Sequence, residues 1–283
     1  MTTFFIGGCM RTGTSLLNSI LCSDSTANPV IGEVQYLTHL MHHYHWGRRN
    51  FHLYLNDTFE SHEAFKSFTG DWLKDYLQRT EERWQPCQHL VLKNPELVQY
   101  FPDLAELVEG SKFFLTVRDP RDTVVSMRAV AKKQRDKGVS STLTKMNDDA
   151  RKLSHYYRNY YSRFLRGDFD ALKSNLFLVR YEDLVTQTDQ VVDQIRAFTG
   201  LALTGYDPGS EWQRSAEDYD QSRADPDRAA WTTELHGKGV SDSQIGKFRE
   251  KLSAEDIAII EEECQAVMRP FKYDALAAQV SSA

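Results

Sequence analysis

Short apolar runs alternate with amphipathic stretches along most of this chain. Thr3-Phe4-Phe5-Ile6-Gly7 reads as a strand buried on both faces, since a run of about four to eight apolar residues bounded by turn signals fits that pattern. His89-Leu90-Val91-Leu92, the stretch Lys112 to Val117, and Leu176-Phe177-Leu178-Val179 repeat it. Between them the apolar positions recur at helical spacing. Leu16, Leu17, Ile20 and Leu21 predict a helix over 14–23, and Trp72, Leu73, Tyr76 and Leu77 give one side of a helix over 61–83. Further helices are expected over about 96–108, after Asp119, over 146–166 and over about 188–199, the last closing at Gly200. Pro120 suits a first helical turn. Tyr156, Tyr157, Tyr160 and Tyr161 form a stripe on the helix over 146–166, which reads as packing rather than recognition. Two short helices, about 242–252 and 254–267, complete the pattern, and residues 275–283 read as a frayed tail. This alternation predicts an α/β fold, three layers α/β/α around a mostly parallel central sheet, in one domain over 1–283.

The junction of the first strand and first helix carries chemistry. Gly8-Cys9-Met10-Arg11-Thr12-Gly13-Thr14-Ser15 has the G-x-x-x-x-G frame of a P-loop, so the fold is expected to be P-loop-like. A nucleotide triphosphatase would place Lys after the second glycine. Here Thr14 and Ser15 follow, and the loop's cation is Arg11. Main-chain amides in such a loop, with the positive end of the helix behind them, hold an oxyanion. The plainer alternative is a Gly/Ser/Thr-rich turn that merely opens a helix. Ligands of wound parallel sheets bind beyond the carboxyl ends of the strands. Lys93, Arg118 and Arg180, followed by Tyr181, all fall at those ends. Several cations on one edge, opposite a phosphate loop, predict a pocket for a polyanion.

Composition narrows the classes. The 283 residues are 41% hydrophobic and 26% charged, with a net charge of −6. An acidic chain argues against a nucleic-acid partner, and no apolar run approaches the ~20 residues a membrane span needs. The N-terminus has no basic leader, and Cys9, Cys22, Cys87 and Cys264 form no C-x-x-C pair. These features read as a cytoplasmic protein with reduced thiols and no zinc site. Five histidines (His39, His42, His43, His45, His52) and several aromatics crowd the segment 34–54. Their spacing is irregular and no acidic ligand interrupts them, so no metal site is expected. A helix plus loop lining a substrate cavity fits better. The polar stretch 204–240, with Trp212 and Trp231, reads as a lid or binding loop.

These motifs closely resemble the sulfotransferases that use 3′-phosphoadenylyl sulfate (PAPS). Gly8 to Ser15 is similar to the family's 5′-phosphosulfate loop. Arg118-Asp119-Pro120-Arg121-Asp122 with Ser126 resembles its 3′-phosphate motif, Tyr181-Glu182-Asp183-Leu184 its tyrosine element near adenine, and His236-Gly237-Lys238-Gly239 its late glycine–basic loop. Many cytosolic members carry Lys in the loop and a His after the second strand. This chain has Arg11 and Lys93-Asn94-Pro95 instead, with Glu33 downstream of the loop. That arrangement is closer to the tyrosylprotein and certain bacterial natural-product sulfotransferases.

The resemblance implies sulfuryl transfer from PAPS to a hydroxyl or amine of an acceptor, without metal, releasing 3′,5′-ADP. It implies that Glu33 is the general base and that Arg11 and Lys93 neutralise charge on the leaving oxygen. It further implies that Arg11, Thr12, Gly13, Thr14 and Ser15 hold the 5′-phosphate, Arg118 and Ser126 the 3′-phosphate, and that Tyr181 contacts adenine while Gly237 and Lys238 close over the 3′ end. Three alternatives stand beside this. Glu33 could be only a helix-start carboxylate, with His39, His42 or His43 as base. The protein could be a small-molecule kinase with a degenerate P-loop, or a non-catalytic nucleotide binder. The acceptor is expected to be a small molecule, with a peptide tyrosine as the other option. The oligomeric state is open.

Overall fold

Each of the four apolar runs forms a strand in the computed structural model of the chain, which describes residues 2–209, 231 and 239–275. They are β1 (Thr2–Gly8), β2 (His89–Lys93), β3 (Lys112–Val117) and β4 (Leu176–Arg180). All pairings are parallel and the order is β2-β1-β3-β4. Parallel neighbours require long crossovers, and the helices between the strands supply them. Ile6 pairs with Lys93, Gly8 with Thr116, and Val117 with Arg180, so the carboxyl ends line up along one edge.

Consecutive strand residues face opposite sides of a sheet, and here both sides are apolar. Phe5, Phe113 and Leu115 point into one core with Leu37, Tyr44, Phe101 and Tyr157. Phe4, Ile6 and Phe114 point into the other, with Leu17, Ile20, Leu21 and Ile195. The expected three-layer architecture is therefore the one observed. Each such fully buried side chain contributes about 1.5–3 kcal/mol.

Helices Thr14–Cys22, His62–Arg83, Pro120–Asp136 and Thr188–Thr199 form where the sequence predicts them, and the expected helix plus loop over 34–54 is the helix Gln35–Arg49 followed by the short helix Phe51–Tyr54. The amide of Ala64 donates to the Ser61 hydroxyl at one helix start, and Gly200 closes another at φ 81°. Three segments differ from the sequence reading. Residues 96–108 split into a 3-10 turn, Pro95–Tyr100, and a helix, Phe101–Leu107, because Pro102 has no amide to continue the ladder. The tyrosine helix spans Ala150–Tyr160 rather than 146–166. Asn147 and Asp148 adopt φ of 52° and 58°, and Asp149 caps the helix by accepting from the amide of Lys152. Over 242–252 only Phe248–Lys251 is helical, since the amides of Gly246 and Phe248 donate to Asp122 instead of to helix carbonyls. The helix Ala254–Met268 then closes against the tyrosine helix. No described helix is long and apolar enough to cross a membrane.

Candidate active site

The loop after β1 is shaped by close approach. Gly8, at φ 150°, lies against β3, where a Cβ would come within 2.3 Å of Thr116 Oγ1. Gly13, at φ 90°, backs onto Tyr181, where a Cβ would lie 2.8 Å from the ring. Between them Arg11 holds φ 71°, a left-handed conformation costly for a side chain of its size. The hydroxyl of Thr12 donates to the Cys9 carbonyl at 2.6 Å and shares a 2.7 Å hydrogen bond with the Thr116 hydroxyl. Its side chain thus fastens the loop to β3. Helix Thr14–Cys22 starts on Gly13 with no side-chain cap and no acidic residue in its first turn. Its leading amides have no intrahelical acceptor, and its positive end is uncompensated. An anion is the complement of such a terminus.

At the neighbouring strand end, Lys93 is buried and donates from Nζ to Glu33 Oε1 at 2.8 Å, with a longer 3.5 Å contact to Ser15 Oγ. The amide of Val34 donates to the Lys93 carbonyl, and Asn94 binds both the Ile6 carbonyl and the Gln35 side chain. These bonds hold Glu33 at the sheet edge. Its side chain keeps 49% of its surface exposed and makes no cap to helix Gln35–Arg49, which leaves the carboxylate facing the edge. The histidines are engaged elsewhere. His39 meets Gln35, His42 is hydrogen-bonded to the Tyr100 hydroxyl, and His45 pairs with Asp103. Among the described residues no cluster suited to a metal ion occurs.

On the other side of the loop, Arg118 emerges buried from β3. Its Nη1 donates to the Arg11 carbonyl, its Nη2 to the Gln244 carbonyl, and its guanidinium lies 4.4 Å over the Tyr181 ring. Its Nε is buried with no partner among the described residues. Burial pushes the Tyr181 phenol up, against the opposing influence of Arg118. Arg11 Nε donates to Ser126 Oγ at 3.2 Å and its Nη1 to the Trp231 carbonyl. Arg11, Arg118, Ser126 and Tyr181 therefore form a second cluster, joined to the first through the loop. Gly237 and Lys238 lie outside the described residues.

Arg121 is buried between Asp119 and Glu261, with Phe248 4.2 Å from its guanidinium. Asp119 caps the following helix by accepting from the amide of Arg121. Asp122 does not. It accepts the amides of Gly246 and Phe248, and burial pushes its carboxyl up. Glu182 was missed altogether. It accepts from the amide of Asp119 and from the Tyr273 hydroxyl, fixing the turn that carries Arg118. No local pattern marks it, because its partners lie 63 and 91 residues away.

A glycine loop, an uncapped helix start and the strand-end cations Lys93 and Arg118 stand on one edge of a parallel α/β sheet. The family model described as "Sulfotransferase family" matches residues 3–205, and the chain belongs to that family. It is a sulfotransferase, an enzyme of sulfuryl transfer. The sulfotransferase domain of the curacin biosynthetic pathway is similar in fold, with a TM-score of 0.60 and 17% identity over 96% of this chain and 97% of that one. The sulfotransferase domain of the Synechococcus PCC 7002 olefin synthase gives a TM-score of 0.53 and 18% identity over 97% and 95%. A sulfotransferase from Alicyclobacillus acidocaldarius gives 0.51 and 14% over 98% of each chain. No curated protein matches the sequence.

Proposed function

We propose that the sulfuryl donor is PAPS and that the acceptor is a small molecule bearing a hydroxyl or amine. The observation that carries this is the meeting of Lys93 with Glu33 and Ser15, 60 and 78 residues apart in sequence. A cation, a carboxylate and a phosphate-loop hydroxyl share one point on the sheet edge, beside the cluster of Arg11, Ser126 and Arg118. Such a donor needs two separate anion sites. The uncapped helix start and the buried, unpartnered Nε of Arg118 are two places where acceptors are wanting.

In this reading, the main chain of Thr12 and Gly13 and the hydroxyls of Thr14 and Ser15 hold the 5′-phosphate. Arg118 and Ser126 hold the 3′-phosphate, and Tyr181 supports adenine. Glu33 takes the acceptor proton as the acceptor oxygen or nitrogen bonds to sulfur. The bond from sulfur to the 5′-phosphate oxygen breaks in line, and its electron pair leaves with 3′,5′-ADP. Arg11 and Lys93 neutralise that oxygen, a role in which preorganised cations are often the largest catalytic factor. No metal takes part. The segment 34–54 shapes the acceptor pocket, residues 210–230 and 232–238 of the expected lid lie outside the described residues, and the four buried thiols suit a reducing cytoplasm.

Thermal melting with and without ligand tests the donor assignment through binding linkage. In a metal chelator, 3′,5′-ADP should raise the midpoint, and ATP with magnesium should not. The reverse result would remove PAPS as the donor. Labelled PAPS offered with a panel of phenols, alcohols and amines then finds the acceptor.

A further inference from the structure

The tyrosine stripe does more than pack. Tyr157 and Tyr161 stand one helical turn apart at the end of helix Ala150–Tyr160, both fully buried, with ring centroids 5.0 Å apart. The Tyr161 hydroxyl accepts from the amide of Cys9 at 3.2 Å and donates to the Thr116 carbonyl at 3.0 Å. The Tyr157 hydroxyl donates to the Arg118 carbonyl at 2.7 Å. One phenol therefore grips the phosphate loop and the other grips the strand end that carries Arg118.

We propose that Tyr157 and Tyr161 are positioning residues that fix the spacing between the two anion-binding halves of the donor site. Neither hydroxyl faces a ligand, so each acts through the main chain it holds. Tyr161 is tied to the same knot as Thr12 and Gly8. Cys9 gives its amide to Tyr161 and its carbonyl to Thr12, while Thr116 accepts from Tyr161 and meets Thr12 through its hydroxyl. Removing that phenolic oxygen releases the Cys9 amide and the Thr116 carbonyl, leaves the Thr12–Thr116 bond as the remaining side-chain tie, and does not touch the Arg118 carbonyl. Removing the oxygen of Tyr157 frees the Arg118 carbonyl and leaves the loop tied. Tyr157 lies in the last turn of the helix and Tyr161 is the residue that ends it, so four residues of one segment separate the two grips. The proposal rests on the PAPS reading for the identity of the halves, but not for the bonds.

The test uses Tyr161→Phe and Tyr157→Phe in the full chain, with 5′-AMP and 3′-AMP as half-site probes. Loss of a buried hydrogen bond at one half should weaken the matching probe about ten-fold. Tyr161→Phe should lose 5′-AMP affinity and keep 3′-AMP affinity within about two-fold, and Tyr157→Phe should do the opposite. A purely structural role would weaken both probes alike in each variant. That outcome, no change, or the opposite pairing would overturn the proposal. Should a variant fail to fold, amide exchange in the unaltered protein decides. The Cys9 amide should exchange far more slowly than that of Thr14 and stay slow without ligand, whereas rapid exchange at Cys9 would overturn the clamp. If the unaltered protein binds none of 5′-AMP, 3′-AMP and 3′,5′-ADP, the donor reading falls, and the Cys9 exchange rate still judges the clamp.

Discussion

At the β2 end of the sheet edge, Lys93 pairs with a carboxylate that keeps half its surface in water, whereas at the β3–β4 end Arg118, Asp119, Arg121 and Tyr181 are all buried. The first end holds its side chains through one ion pair and one long hydroxyl contact. The second is braced from beneath by Glu182, Tyr273, Glu261 and Tyr157. The difference suits the roles proposed for the two ends. A group that exchanges a proton with an incoming acceptor must be reachable, and an anchor for a spectator phosphate is best built rigid. Two arginines three residues apart make the same point. Arg118 leaves an unpartnered Nε in the groove wall, while Arg121 is occupied by carboxylates on both sides.

Substitutions at the two ends should therefore fail differently. Glu33→Gln should lower turnover by about 10²–10⁴-fold, the usual worth of a general base. Its affinity for 3′,5′-ADP should stay within about two-fold, since the cofactor anchors lie elsewhere. Stopped turnover and calorimetric titration check the pair of outcomes, and a collapse of affinity with intact turnover would erase the distinction between the ends. Arg121→Met should cost about 3–5 kcal/mol of folding stability, because it strands buried Asp119 and Glu261 without their cation. Denaturant unfolding measures it, and binding by the folded fraction should be little changed.

Arg118→Ala should weaken 3′,5′-ADP by about 2–4 kcal/mol, the worth of a charged hydrogen-bond set. An unchanged dissociation constant would remove Arg118 from the site. The smallest effect sharpens the picture of the open end. Burial alone would raise the Asp103 carboxyl, but hydrogen bonds from His45 and Arg163 outweigh it and hold its pKa below the usual range. The unfolded chain therefore binds the proton first as pH falls. The stabilisation is full above the unfolded value of about 3.9 and is lost as pH drops through the folded value. Acid unfolding between those limits should be shallower in Asp103→Asn than in the unaltered protein.

Much of this was legible in the sequence, and the reason is locality. Strand ends, the glycine loop and the helix behind it are written in contiguous residues, and Gly8, Lys93, Arg118 and Tyr181 fall where apolar runs stop. The resemblance sets Glu33 with Arg11 by spacing and marks Lys93 separately, whereas the structure puts Glu33 against Lys93 at 2.8 Å. What the sequence leaves open depends on partners far along the chain. Arg121 takes Glu261, 140 residues on, and Asp122 spends its carboxylate on the amides of Gly246 and Phe248. The tyrosines at 157 and 161 carry only an i, i+4 apolar signal, and no sequence pattern reveals which main-chain groups their hydroxyls will meet.

The contact between Gly13 and the Tyr181 ring has a consequence for redesign. Any side chain placed at position 13 must drive that ring toward the guanidinium stacked beneath it. A change made for the sulfate-bearing arm of the donor is thereby felt at the opposite arm. Attempts to retune nucleotide choice cannot proceed piece by piece here; libraries that vary 13, 118 and 181 together are the ones with room to succeed.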